Sequence, residues 1–514
     1  MKFKSRNKFK MLLWVAFYLF AFSLLLSHSF NYLDPDFGWH IKAGEQTMQT
    51  KQVPHDQIYM WTLEGKDWVD HEWLSNIMLY LGYEHLGYFW LNIIFALIII
   101  LALSLATAYL KKTYFKNTGD YVLIGLQLLG LIAIMPHLGV RLQEITILFL
   151  VILLIIIDKF SRKPGKIIYW LIPLFLIWAN LHAGFLIGIA VLGWWLTVQL
   201  ILTIFKSKPT KWLKLLIIMV LSCAATLITP YGWKLYSFLS DYTNNAYLKI
   251  IEEWLPIYAL PIHYWQMLFI AIIISLIIAC YGLSLKKLNL WQVSITIIFL
   301  AMAIKSTRHF PLFFIVIYLC LIPDIIQKQM PDKFKQIINH NIIKIISIIS
   351  LLLLSILVFF YTNFTNQPNL AFCDKYPCKA VEFLQNNPEY QKLKMYNRYN
   401  FGGFLIWAMP ELPLFIDGRM PQYEFANHSL IQEYISFIND NIENKLKEYG
   451  IEMVLWNAKP NKMRLNWIDK YLLGLKPEDV ESKPLIRNYL DESDNWELIF
   501  EDNASVIYIK KYDD

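Results

Sequence analysis

Two clusters of acidic and imidazole side chains lie in one polar stretch of the chain, Asp34-Pro35-Asp36 with Trp39-His40, and Asp70-His71-Glu72 between Trp68 and Trp73. Carboxylates spaced i, i+2 in an extended turn point apart. One can then take a proton while the other orients it, or both can hold a divalent cation, Mg or Mn, through hard oxygen ligands. The same pair can instead cap a helix running from Phe37 to Thr50, as Asp commonly does. Further along, Arg141, Glu144, His182, Tyr231, Arg308 and His309 stand at the ends of apolar runs. A single cation at a membrane boundary can simply snorkel to headgroups. Arg141 and Arg308 as a pair suit a lipid phosphate or diphosphate, because guanidinium forks bind phosphate through parallel hydrogen bonds. His182, beside Gly184, can equally satisfy a helix end.

The elements that must position these groups are mostly membrane spans. The chain has 514 residues, 56% hydrophobic and 17% charged, which excludes an ordinary soluble enzyme or a disordered protein. Apolar runs at 11–30, 89–110, 121–140, 145–157, 167–181, 183–205, 212–229, 265–285, 290–304, 310–323 and 343–361 predict about eleven crossings. With the N-terminus inside, 22 of the 30 basic residues of the first 361 fall in inner loops, as the positive-inside rule requires. That count puts the C-terminal residues outside a cell membrane, inner or plasma, and makes the first outer loop, 31–88, much the longest. Loops of this length are commonly functional, and its aromatic content argues against disorder.

The expected fold class is therefore a polytopic α-helical membrane protein, with residues 1–361 as the membrane region and 362–514 as a small extracytoplasmic α/β domain. The latter holds 17 basic against 23 acidic residues, the former 30 against 17. The overall charge of +7 thus lies beside apolar segments, where anionic lipid headgroups meet it, and a nucleic-acid partner is not expected. In the C-terminal part, Leu414–Ile416 and Met453–Trp456 read as buried strands. Leu430–Tyr449 reads as a helix stopped by Gly450, and Trp496–Lys511 as a hairpin about Asp502-Asn503. Cys373 and Cys378, five apart, favour a local disulfide over a metal site. The run Tyr396 to Phe404, followed by Phe415-Ile416-Asp417-Gly418-Arg419, fits either strand cores with glycine turns or aromatic and polar contacts to sugar rings. No P-loop, dinucleotide fingerprint, G-x-S-x-G or H-E-x-x-H occurs.

The chain resembles the bacterial integral-membrane glycosyltransferase-like proteins of the GT-C superfamily, distantly similar to dolichyl-phosphate-mannose protein mannosyltransferases. The resemblance rests on Asp34-Pro35-Asp36 with Trp39-His40, Trp68-Val69-Asp70-His71-Glu72-Trp73, Asn180-Leu181-His182-Ala183-Gly184 and Thr229-Pro230-Tyr231-Gly232-Trp233. It continues in Arg308-His309-Phe310-Pro311, Asn400-Phe401-Gly402-Gly403-Phe404 and Phe415-Ile416-Asp417-Gly418-Arg419, and spans nearly the whole chain. It implies transfer of a sugar from a polyprenyl-phosphate carrier to an extracytoplasmic lipid, glycan or protein acceptor, with a first-loop acid near the reacting centre. Carried onto this sequence, that role falls on Asp36 or Asp34. The Asp-Pro-Asp-x-x-Trp-His form departs from the adjacent acidic pair of the mannosyltransferases.

The expected enzyme is an inverting glycosyltransferase with Asp36, or Asp34, as base. Arg308 with Arg141, or a divalent cation, holds the departing lipid phosphate. His40, Asp70, His71, Glu72, His182 and His309 support, and Trp39, Tyr231, Asp417 and Arg419 are candidate sugar or acceptor contacts. The reading from a different class is a non-catalytic envelope-glycan assembly factor, or a flippase or transporter of a lipid-linked saccharide. A transporter carries ionisable residues in mid-span, and most spans here have none.

Overall fold

The computed structural model describes residues 2–115, 120–206, 212–241, 247–281, 290–323, 325, 341–425, 428–439, 441–459, 465–480 and 485–511. Lys116, Lys208, Lys211, Lys286, Lys287, Lys328, Lys333 and Lys335 of the orientation count lie outside these. The chain divides into two compact units. One comprises Met1–Tyr32, Phe89–Trp233 and Glu253–Phe364; the other comprises Leu33–Tyr88, Lys234–Glu252 and Thr365–Asp514. The expected division at residue 361 grouped the first loop with the membrane region, whereas packing groups residues 33–88 with the C-terminal part.

The first unit is helical. Each of the eleven apolar runs is helical over most of its described residues, since continuous Leu, Ile and Phe in a backbone that satisfies its own hydrogen bonds is what hydrocarbon demands. Among the described residues five helices are long and apolar enough to cross a membrane: Lys8–Phe30, Trp73–Thr113, Asp120–His137, Phe185–Phe205 and Ile342–Phe360. Five more apolar helices are shorter, among them Lys166–Leu181 and Leu290–Lys305. The helix Gln143–Arg162 has 20 residues and carries Glu144, Asp158, Lys159 and Arg162 at its ends. The helix Lys2–Phe30 packs along Asn341–Phe360. Within the bundle, the Gln127 amide donates to Thr107 Oγ1 at 2.6 Å and to the Tyr318 hydroxyl at 2.9 Å, satisfying polar groups that lipid would not.

The second unit is built on a four-stranded sheet of order β1-β4-β6-β5, where β1 is Met395–Asn397, β4 Met453–Asn457, β5 Trp496–Glu501 and β6 Ser505–Lys510. β1 and β4 are parallel; β5 and β6 form the expected hairpin, its turn closed by the Asp502 carboxylate accepting from Ala504 and Ser505 N–H at 3.0 and 2.7 Å. β2 (Glu424–Phe425) and β3 (His428–Ser429) make a separate antiparallel ribbon.

Two expectations need correction here. Leu414–Ile416 is buried but is no strand of the sheet. Leu414 makes one bridge to Met60, and the Asn397 side chain stands in for a neighbouring strand by accepting from Phe415 N–H at 2.8 Å and donating to Ile416 O at 2.9 Å. The helix expected over Leu430–Tyr449 is two, Leu430–Asn439 and Ile442–Glu448, because Asn441 caps the second by accepting from Asn444 N–H. Gly450, the expected stop, has φ +59°. The aromatic run is core. Tyr396 is fully buried and stacks on Phe437 at 4.6 Å and Trp456 at 5.6 Å.

The first loop is no loose excursion. Its helix, Phe37–Thr50, crosses the helix Gly402–Ala408 at glycines: a Cβ on Gly38 would stand 2.1 Å from Gly403 O, and one on Gly403 2.1 Å from Pro35 O. Backbones this close leave no room for any side chain.

Candidate functional site

The acids of the first loop are held by a dense polar network inside the second unit. Asp34 is buried, and its Oδ1 accepts from Asp36 N–H at 2.8 Å, an Asx turn that starts the helix at Phe37. Asp36 occupies the N-cap position without capping through its side chain. Its Oδ1 instead accepts from Trp39 Nε1 at 2.9 Å and lies where a Cβ on Gly418 would be, 2.2 Å away. Capping therefore falls to Asp34, and the half-buried Asp36 carboxylate is turned toward the Asp417-Gly418-Arg419 turn.

Behind it, Asn76 links the two acidic clusters. Its Nδ2 donates to both oxygens of Asp70, at 2.8 and 2.9 Å, which leaves its Oδ1 facing His40 Nδ1 at 2.7 Å. Because that oxygen only accepts, Nδ1 of His40 carries the proton and Nε2 is the basic nitrogen. His40 Nε2 lies 3.9 Å from Glu72 Oε2, which is also 3.8 Å from His71 Nε2. The Trp39 and His40 rings lie 3.7 Å apart, and Trp68 packs edge-on to Trp39 at 6.1 Å. This fixed-tautomer imidazole, backed by a carboxylate through an amide, is an arrangement that can move a proton.

Burial pushes the Asp70 carboxyl up to about 6, against the stabilisation its carboxylate draws from Asn76, the Glu72 N–H and the Arg419 charge. The native state therefore holds a proton that the unfolded chain has lost between roughly pH 4 and 6, and stability falls as pH rises through that window. Asp70→Asn removes this penalty. Relative to wild type, the variant gains roughly 3 kcal/mol on going from pH 4 to pH 7. Melting curves of both proteins across that range check it, and a constant difference would mean that Asp70 titrates normally.

Asp417 and Arg419, candidate sugar or acceptor contacts, are 0% and 2% exposed and grip each other. Arg419 donates from Nη2 to Asp417 Oδ2 at 2.7 Å and from Nε to Oδ1 at 3.1 Å. Its guanidinium lies between the rings of Tyr59 and Trp68, at 4.8 and 4.7 Å, and reaches Gln57 Oε1 at 3.3 Å.

The arginines expected to hold phosphate are in the first unit, joined by a residue that the sequence reading did not single out. Glu253 takes Arg141 Nη2 on Oε1 and Arg308 Nη1 on Oε2, the latter at 3.1 Å. Burial would raise its pKa, but the two guanidiniums outweigh burial and hold it at about 2, so Glu253 is ionised at any working pH. Ser306 and Thr307 hydroxyls fix its backbone carbonyl at 3.1 and 2.9 Å, and Arg308 lies over the Trp254 ring at 5.1 Å. The His309 ring meets Trp254 edge-on at 5.5 Å. Two guanidiniums thus share the carboxylate of Glu253. His182 closes its turn: Nδ1 accepts from Gly184 N–H at 2.9 Å and lies 2.8 Å from Thr146 Oγ1, so it serves the helix end. Tyr231 is buried in the same unit.

Cys373 and Cys378 are bonded, with Cα atoms 5.2 Å apart. Among the described residues no group of three or more His, Cys, Asp and Glu is arranged to hold a metal ion. Asn76, Gln57 and Glu253 were missed because an isolated amide or acid in sequence carries no signal until its partner is known. No family model and no curated protein sequence matches the chain.

Proposed function

We propose that this chain is a multi-pass membrane glycosyltransferase of GT-C type that moves a sugar from a polyprenyl-phosphate donor to an extracytoplasmic acceptor. The reading takes eleven crossings, a cytoplasmic N-terminus and an outer C-terminal part. The observation that carries it is the Asp36 carboxylate, held by Trp39 and accommodated by Gly418 in place of capping its own helix. In this role Asp36 accepts the acceptor hydroxyl's proton as that oxygen attacks the anomeric carbon, which inverts the configuration. The lipid phosphate leaves as an anion and needs charge stabilisation more than protonation, a role for which guanidiniums such as Arg141 and Arg308 are suited. The hydrogen-bonded chain His40–Asn76–Asp70 lies in the same loop and leaves His40 Nε2 as a basic nitrogen.

The test gives purified protein in lipid a set of radiolabelled polyprenyl-phosphate sugars with a crude envelope fraction, and compares wild type with Asp36→Asn. Transfer that needs Asp36 supports the enzyme. Donor binding without transfer, retained in the variant, moves the assignment to an envelope-glycan assembly factor.

A further inference from the structure

At one end of the first unit a cavity of about 940 Å³ opens between the helices Trp73–Thr113, Gln143–Arg162 and the segment Lys166–Leu181. Its lining changes character along its length. Phe149, Ile152 and Ile156 continue into Lys159 at spacings of three and four, so one face of a single helix carries an apolar stripe that ends in a cation, and Lys163 follows just past the helix end. Lys112 and Arg162 line the same end.

Two of these cations are held in place. Arg162 stacks on Tyr114 at 4.0 Å and donates from Nε to Asp158 at 2.9 Å; Lys159 lies over Tyr109 at 5.6 Å. Asp158 is itself engaged by the hydroxyls of Tyr109 and Tyr114, and among the described residues the cavity lining holds four cations and no carboxylate. Trp170, 64% exposed, lines the cavity, and the neighbouring Tyr169 lies under Lys214 at 4.6 Å. Exposed Trp and Tyr among lysines mark the headgroup level of a membrane.

We propose that this cavity is a binding site for an anionic glycerophospholipid. Its phosphate sits among Lys112, Lys159, Arg162 and Lys163, and an acyl chain lies along the Phe149–Ile156 stripe. The charge decides the class: a zwitterionic lipid brings a cation of its own to a place already cationic, while an anionic one neutralises it. The apolar stripe from Phe149 to Ile156 covers about 10 Å at 1.5 Å per residue, enough to hold the part of an acyl chain nearest its headgroup. The site uses none of the residues of the transferase reading and stands whether or not that reading holds.

The experiment takes the full-length protein, delipidated in mild detergent, and measures retention of phosphatidylglycerol and of phosphatidylcholine by native mass spectrometry. Phosphatidylglycerol is expected to be retained selectively. Lys159→Gln, Arg162→Gln and Lys163→Gln together weaken it on the order of a hundredfold, at about fivefold per cation. Arg162 also braces Asp158, so Ile152→Trp, which fills the apolar end and leaves every charge in place, is the second variant and is expected to weaken retention as well. Equal retention of the two lipids, or unchanged retention in both variants, overturns the proposal. Displacement of phosphatidylglycerol by a polyprenyl phosphate at equal concentration overturns it in favour of an isoprenoid carrier.

Discussion

Asp36→Asn lowers sugar transfer by a factor on the order of 10² to 10⁴, the range that a general base supplies, and leaves the protein folded. The amide is the same size and its oxygen still accepts from Trp39 Nε1, now at 2.9 Å, over a Gly418 that leaves the space. What is lost is the ability to take a proton. Asp34→Asn should differ sharply, because the role of Asp34 is to accept the Asp36 N–H, which an amide oxygen does nearly as well. Its transfer falls by less than tenfold. Gly418→Ala is the third member of the set. Its methyl would meet Asp36 Oδ1 at 2.2 Å, so the carboxylate must turn away, and transfer drops although no titratable group has changed. Single-turnover transfer at saturating donor reads all three. Asp36→Asn at wild-type rate would sink the assignment of the base, and a larger loss in Asp34→Asn than in Asp36→Asn would reverse the order of the two acids.

Asp417→Ala unfolds the second unit more readily than any other single change considered, by about 3–5 kcal/mol, because it leaves a buried guanidinium without its carboxylate. Gln57 at 3.3 Å and the faces of Tyr59 and Trp68, which Arg419 would keep, carry no charge to replace that of Asp417. Removing the cation too, in Asp417→Ala with Arg419→Met, should recover much of the loss, since an apolar pair in a closed site costs less than a lone ion. Denaturant melts followed by tryptophan fluorescence report the effect directly, Trp68 lying against the guanidinium. A loss under about 1 kcal/mol in the single variant would show that solvent reaches Arg419, and would return the pair to consideration as a contact for a polar ligand.

The features legible in the sequence are those whose cause is local. Among the described residues every apolar run is mainly helical, because continuous hydrophobic side chains and internally satisfied backbone bonds are decided within one segment. The helix after Asp36, the strand Met453–Asn457 and the hairpin about Asp502-Asn503 follow from capping, β-rich residues and turn chemistry within a few positions. Which acids and histidines belong to one network was also partly legible, since Asp34, Asp36, His40, Asp70 and Glu72 share one loop.

What only the tertiary structure decided are pairings between distant positions. Asp36 meets Gly418, Arg419 meets Tyr59 and Trp68, Asn397 serves as a strand for Phe415, and Glu253 joins Arg141 to Arg308. Each partner taken alone is an ordinary glycine, amide or acid, and its role arises from charge, close approach or a missing hydrogen bond supplied by the other. Hydrophobic periodicity says which face of an element is buried; it does not say against what. For the same reason the sequence boundary at 361 put the first loop with the membrane helices, whereas the glycine contacts of Gly38 and Gly403 bind it to the C-terminal residues.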